Sequence, residues 1–262
     1  MASLGARALY QRNGLMSKTH LVIGDSHAHP DYSNERFTWL GKLIHDVKPD
    51  TVVNIGDMAD FASLCFHSKP IELEGARYKK DCEAVYDAQE RLFHEVRKHK
   101  KKLPRFVWTL GNHDIRPQRF VEANPVFEGH VRNEDIGYKD FPWEVYPFLE
   151  PVDVDGVDYA HYFPSGIMGR PVGGTHPAWT TIKKRNKSAT FGHSHVLDYK
   201  IDKTPGKSLM GLAVGNFIGF NMGYAGQAND MWSDGIAICS DVEDGLYDFS
   251  WISMQRIKES YA

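Results

Sequence analysis

Five short clusters of oxygen- and nitrogen-bearing side chains recur along the 262-residue chain, and their types are those that hold divalent cations. In order they are Asp25-Ser26-His27, Gly56-Asp57, Gly111-Asn112-His113-Asp114, the lone His161, and Gly192-His193-Ser194-His195. Carboxylate, amide and imidazole donors in one set, with no thiolate among them, suit Mn, Fe, Zn or Ni. Such ions acidify water and offset charge on phosphate oxygens, so metal-assisted hydrolysis is the chemistry on offer. One cluster alone carries little weight, because Gly-Asp occurs in many turns and a single His is more often a core or surface residue. Five in order, each after an apolar run, carry much more.

Residues this far apart meet only if several elements end at one place. The first three clusters follow the compact apolar runs 20–24 (HLVIG), 51–55 (TVVNI) and 105–110 (RFVWTL), which read as strands. Between the first two, 34–46 carries Phe37, Leu40, Leu43 and Ile44 at helical spacing. The insert 74–102 carries the stripe Ala84, Val85, Ala88, Leu92, Phe93 and Val96. This alternation predicts βαβ units and a largely parallel sheet, with ligands outside the carboxyl ends of its strands. In the second half, strand-like segments 152–161, 196–202, 209–216, 235–240 and 247–253 follow one another closely through turns such as Asp155-Gly156, Pro205-Gly206 and Asp244-Gly245. They are expected to form a second, antiparallel sheet facing the first.

Composition narrows the partners. A net charge of -3 argues against a protein held on nucleic acid by bulk positive charge. The basic runs 97–102 and 183–187 sit at expected helix ends, where cations offset the helix dipole. Cys65, Cys82 and Cys239 stand at no disulfide or zinc spacing and suit a reducing cytoplasm. The hydrophobic share of 42% permits a core without staples, and no apolar run is long enough for a leader or a membrane span. Residues 1–18 read as a flexible tail and 19–262 as a single domain.

In content and order the five clusters resemble the calcineurin-like metallophosphoesterase superfamily, whose pattern is D-x-H, GD, GNH followed by an acid, a lone His, and GHxH. The resemblance spans residues 21–195. Around 160–171 and 192–199 the chain is similar to small members encoded by bacteriophages. The resemblance implies an α/β fold, a four-layer α-β-β-α sandwich of two facing mixed sheets flanked by helices. It further implies two divalent metal ions, manganese (Mn2+) foremost, with Fe, Zn or Ni as alternatives. Asp25, His27 and His195 would hold one ion, Asn112, His161 and His193 the other, with Asp57 bridging. A hydroxide shared by the ions would be the nucleophile and His113 the general acid, with Asp60 fixing the other imidazole nitrogen and Asp114 in support. His161 is the least specific of the ligands, and His176, in a Gly-rich loop before Pro177, is its competitor. Substrate contacts are expected from polar residues near the motifs: His29, Arg116, Arg170 and His176, with His67 and Tyr162.

The implied activity is hydrolysis of a phosphate ester, leaning to a phosphodiester or nucleotide, so a nucleotide or nucleic acid is the expected partner. A phosphomonoesterase acting on small molecules or phosphoproteins is the alternative. A metal-binding scaffold without catalysis is the alternative from another class, and the presence of His113 with every ligand position disfavours it. The protein-phosphatase branch carries Arg directly after the second acid of GDxxD, whereas Phe61 follows Asp60 here, which disfavours that branch. No membrane partner is expected, and the expected compartment is the cytoplasm, that of the host if the chain is phage-encoded. No motif speaks to oligomeric state.

Overall fold

Strand β1 (Lys18–Ile23) shows how the layers form. Its Leu21 and Ile23 point to one face and His20 and Val22 to the other, and all four are completely buried, so the strand is covered on both sides. The computed structural model describes residues 18–66, 68–98 and 102–262; residues 1–17 of the expected tail, and His67, lie outside the described residues. After β1 come α1 (Glu35–Val47), β2 (Thr51–Asn54), α2 (Tyr78–Lys98), β3 (Arg105–Thr109), α3 (Arg116–Ala123), β4 (Trp143–Tyr146), β5 (Val152–Val154), β6 (Val157–Tyr159), α4 (Pro177–Arg185), β7 (Ala189–Phe191), β8 (Leu197–Thr204), β9 (Lys207–Val214), β10 (Gly235–Glu243), β11 (Leu246–Ser253) and α5 (Met254–Tyr261).

Two mixed sheets result, one in the order β11-β10-β1-β2-β3-β4 and the other β5-β6-β7-β9-β8. Strands β1 to β4 run parallel, while β10 and β11 add antiparallel to the β1 edge. Between the sheets lies an apolar layer of Val22, Val53, Ile55, Val107, Ala237 and Cys239 against Val152, Val157, Tyr159, Leu212 and Val214. Helices α1, α2 and α5 cover the outer face of the first sheet through Phe37, Leu40, Ile44, Leu92, Phe93 and Ile257. Helix α4 covers the second through Ile182 against Ala189, Phe191 and Ala213. Each such Val, Leu, Ile or Phe side chain, removed from water, contributes about 1.5–3 kcal/mol. The architecture is the expected α-β-β-α sandwich.

One expectation is corrected. Segments 235–240 and 247–253 belong to the first sheet, where Leu21 pairs with Ile238 and Ile23 with Ile236. Burial explains it: on β10, Ile236 and Ile238 face the helices while Ala237 and Cys239 face the second sheet. A strand apolar on both faces needs a position between two covered layers, which β1 provides.

The basic run at the end of α4 is paired internally. Lys183 meets Asp202 at 2.7 Å, Lys187 meets Asp153 at 2.7 Å and Asp158 at 2.6 Å, and Arg185 also binds Asp158. In the other run, Lys98 pairs with Glu95 at 2.6 Å and Arg97 lies over Phe93, while 99–101 fall outside the described residues. The three cysteines are free thiols. Among the described residues no helix is long and apolar enough to cross a membrane.

His20 is a polar tie across the apolar layer. Its Nδ1 lies 2.8 Å from the Tyr159 hydroxyl of the facing sheet, and its Nε2 lies 2.8 Å from Asp155 in the β5–β6 turn. Burial holds this imidazole below its ordinary pKa of 6.5 despite Asp155, which pulls the other way. A depressed His contributes stability that is present above about 6.5 and lost as pH falls through the folded value. We therefore expect His20→Ala to cost about 2–3 kcal/mol by denaturant unfolding at pH 8, from two lost buried hydrogen bonds and a small cavity. The gap from the unsubstituted chain should narrow toward pH 5, and a gap independent of pH would contradict the neutral-imidazole assignment.

Candidate metal centre

The five clusters leave the strands at one edge of the sandwich. Asp25 and His27 follow β1, Asp57 follows β2, and Asn112 and His113 follow β3, three parallel neighbours. His161 follows β6, while His193 and His195 follow β7, parallel neighbours in the facing sheet. The carboxyl ends of the two sets meet there.

Two groups of donor atoms form. In the first, Asp25, His27 and His195 offer atoms within 4.8 Å of one another, with His195 Nε2 3.0 Å from Asp25 Oδ2. In the second, His161 Nε2 lies 2.9 Å from Asn112 Oδ1, 3.2 Å from His193 Nδ1 and 3.3 Å from Asp57 Oδ2. Asp57 Oδ2 is also 4.0 Å from His27 Nε2, so this carboxylate stands between the groups. His176, the competitor of His161, is exposed near Asp198 and touches neither group.

The donor set fits divalent cations. The Nδ1–H of His161 donates to the Ile55 carbonyl at 3.1 Å, which turns Nε2 toward two acceptor oxygens. Facing atoms that all carry lone pairs need a proton or a cation between them. His27 Nε2 is buried without a hydrogen-bond partner among the described residues, an arrangement a cation would satisfy. The electrostatics agree. Burial pushes Asp57 up, but His161, His113 and His27 outweigh it and hold the carboxyl well below its ordinary range. Burial lowers His27, and burial together with His161 takes His193 down to about 4, so both are neutral donors. His161 runs the other way: burial lowers it, but Asp57 and Asp25 outweigh burial and raise it to about 9.

The backbone is bent to deliver these groups. His27, Asp57, His193 and His195 have φ of 42°, 50°, 64° and 57°, a left-handed region that side chains avoid at a cost of about 1–3 kcal/mol each. The motif glycines follow from close approach. A Cβ on Gly111 would lie 2.1 Å from Asp57 Oδ1, and one on Gly192 would lie 2.2 Å from Asp25 Oδ1. Asp114 fastens the loops, accepting from the backbone N–H groups of Asp57 at 2.8 Å, Ala59 at 3.0 Å and Gly111 at 2.8 Å, and from the Trp108 indole at 3.2 Å. Burial and the neighbouring Asp57 raise its carboxyl to about 6.

His113 lies beside the centre, its ring 4.5 Å from that of His27. Its Nδ1 is 2.9 Å from the Asp60 carbonyl and 3.1 Å from Asp60 Oδ1, and the same carboxylate takes His27 Nδ1 at 2.9 Å. Burial pushes His113 down, but Asp57 and Asp60 together raise it. Arg116 Nη2 sits 3.1 Å from His113 Nε2 while Nη1 donates to the Asp60 carbonyl at 2.8 Å. His29 lies 3.9 Å from Asp60 Oδ2. Arg170 is on an exposed turn pairing its backbone with Ser165, and neither it nor His176 contacts the cluster.

Other residues at the centre belong to no motif. Arg36 on α1 is buried and donates to the carbonyls of Ser26 and Ser33 at 2.7 Å and of Phe217 at 3.1 Å, bracing the loop between Asp25 and His27. Burial lowers its guanidinium to about 9, which leaves it charged at neutral pH. A buried Arg on an otherwise apolar helix face was the available signal. Tyr162 packs on His193 at 4.9 Å, and Trp232 meets His195 edge-on at 4.2 Å.

A family model described as calcineurin-like phosphoesterase matches residues 19–210, well over half of the chain. No curated protein matches. A solved structure described as a novel archaeal phosphodiesterase is 13% identical, with 89% of this chain and 99% of that one covered at a TM-score of 0.44. A structure from Thermus thermophilus is 10% identical, with 90% and 99% covered at a TM-score of 0.38. Likenesses this low do not bear on the substrate.

Proton and cation compete for His161, because an imidazolium cannot bind metal. Calorimetric titration with Mn2+ at pH 7.5, in buffers of different ionisation enthalpy, should show release of about one proton, fading as pH rises past about 9. Uptake without proton release at pH 7.5 would contradict the placement of His161 Nε2 at a cation.

Proposed function

The chain belongs to the calcineurin-like phosphoesterase family, and from that membership we propose that it is a phosphate-ester hydrolase with a dinuclear centre in which Asp57 is shared. The observation that carries this is the position of Asp57 Oδ2, 3.3 Å from His161 Nε2 in one donor group and 4.0 Å from His27 Nε2 in the other. In this reading Asp25, His27 and His195 would hold one cation and Asn112, His161 and His193 the second, with manganese as the proposed metal. Cations held there supply positive charge to phosphate oxygens and acidify water.

The protein's own groups do the rest. His113 is the proposed general acid, with Asp60 holding Nδ1 so that Nε2 faces the cluster and delivers its proton to the leaving oxygen. An imidazole so held suits work near neutral pH. Arg116, lying against Nε2, is placed to take a phosphoryl oxygen, and moving to substrate would release that nitrogen. The backbone N–H of His113 donates to Asp57 Oδ1 at 2.7 Å, which keeps acid and shared carboxylate in register.

We favour a phosphodiester or nucleotide substrate because partly exposed aromatic rings flank the centre on both sides. Tyr162 and Phe148 pack at 5.5 Å beside His193, and Trp232 packs beside His195. Such faces suit a nucleobase or another planar leaving group. A monoester is the second reading, favoured by Arg116, since a dianionic phosphate gains most from a guanidinium. Three free cysteines accord with work in a reducing cytoplasm.

Mn-loaded protein should hydrolyse bis-p-nitrophenyl phosphate and thymidine 5′-(p-nitrophenyl phosphate) faster than p-nitrophenyl phosphate. The reverse order would move the assignment to monoesters, and no turnover of any ester would leave the scaffold alternative. His113→Ala should keep its metal content and lose about 100-fold or more on alkyl esters, whose poor leaving groups need the proton, with a smaller loss on nitrophenyl esters. Equal losses on both would remove His113 from the role of acid. Asp57→Asn should lose bound metal by elemental analysis, and full retention of both ions would contradict the bridge.

A further inference from the structure

The segment 217–234, between β9 and β10, closes on itself beside the metal centre. The Phe217 N–H donates to the Asp25 carbonyl at 2.7 Å and the Ser233 N–H donates to the His195 carbonyl at 2.9 Å, so both ends are tied to the backbone of proposed ligands. Across the middle, the Asn229 side chain accepts from the Met222 N–H at 3.0 Å and donates to the carbonyls of Met222 at 3.1 Å and Gly226 at 2.8 Å. The outcome is a loop closed by one of its own side chains, of the kind that often carries function.

Two aromatic residues of this loop face the site. Trp232 stands edge-on to His195 at 4.2 Å, and the Tyr224 ring lies 6.4 Å from Trp232. Tyr224 is 68% exposed, and its hydroxyl makes no hydrogen bond to any described residue. Burial raises the pKa of its hydroxyl, the carboxylates of Asp60, Asp57 and Asp25 raise it further, and Arg116 acts the other way. Through the contact chain from Tyr224 to Trp232 to His195, an O–H donor that is neutral at physiological pH stands on the loop beside the metal centre. A neutral phenol in that place can donate to an anionic oxygen of the substrate.

We propose that Tyr224 is a substrate contact, its hydroxyl donating a hydrogen bond to a phosphoryl oxygen of the bound ester while the 217–234 loop, with Trp232, forms one wall of the substrate site. This rests on the phosphoesterase reading above and deepens it. Tyr224→Phe removes the donor and keeps the ring. Losing a hydrogen bond to a charged oxygen costs about 10-fold or more.

The test uses the full-length, Mn-loaded protein and two readouts: affinity for inorganic phosphate by calorimetry, and kcat/KM on bis-p-nitrophenyl phosphate. Tyr224→Phe should weaken phosphate binding and lower kcat/KM by about 10-fold each, at unchanged metal content and melting temperature. Tyr224→Ala, which also removes the wall, should lose more. Values for Tyr224→Phe within twofold of the unsubstituted protein in both readouts would overturn the contact. If no ester is turned over but phosphate binds in a Tyr224-dependent way, the contact stands and the hydrolase reading falls. If phosphate does not bind at all, the contact falls.

Discussion

His161 Nε2, His193 Nδ1, Asn112 Oδ1 and Asp57 Oδ2 crowd together at a buried point where lone pairs outnumber protons. Such a cluster is unfavourable in a low dielectric unless positive charge sits within it. A proton on His161 supplies some, which is why that imidazole is drawn up to about 9 despite its burial. Divalent cations supply more. The remaining features of the centre keep these atoms together against their mutual repulsion.

The holding is done mostly by backbone. Four of the seven proposed ligands sit at positive φ, and the Gly111 and Gly192 positions admit no Cβ because carboxylate oxygens occupy that space. Asp114 gathers three backbone N–H groups from two motifs, and Arg36 gathers three carbonyls from the β1–α1 loop and the loop after β9. One buried anion and one buried cation thus fasten loops that the sheets only bring near. Strain of this order persists only where the surrounding structure over-determines it, as the two covered sheets do here.

The donor clusters and the strands before them were legible because four of the five motifs carry their own local cause, an apolar run, a glycine and then the donor, while His161 follows its strand without a glycine. The two long helices were legible from periodicity, with α1 observed at Glu35–Val47 against the expected 34–46 and α2 at Tyr78–Lys98 against 74–102, whereas the short α3 and α5 were not read. The sheet joined by β10 and β11 was not, because pairing with β1 is a long-range choice that alternation alone leaves open. Arg36 showed in the sequence only as a charged residue on an apolar helix face, and Trp232 and Tyr224 lie outside every motif, their relevance arising when residues 195 and 217–234 come together in space. Arg170 and His176, named for nearness in sequence, lie on exposed segments, and His176 stands beside Asp198. His20 showed no functional signal beyond a polar residue opening an apolar strand, and it proves to join the two sheets.

The central claim, that one carboxylate serves two cations, is tested most directly by anomalous diffraction from crystals grown with Mn2+. The account predicts two peaks about 3.5–4 Å apart, one among Asp25, His27 and His195 and one among Asn112, His161 and His193, with Asp57 between them. A single peak, or two peaks neither of which Asp57 touches, would contradict it.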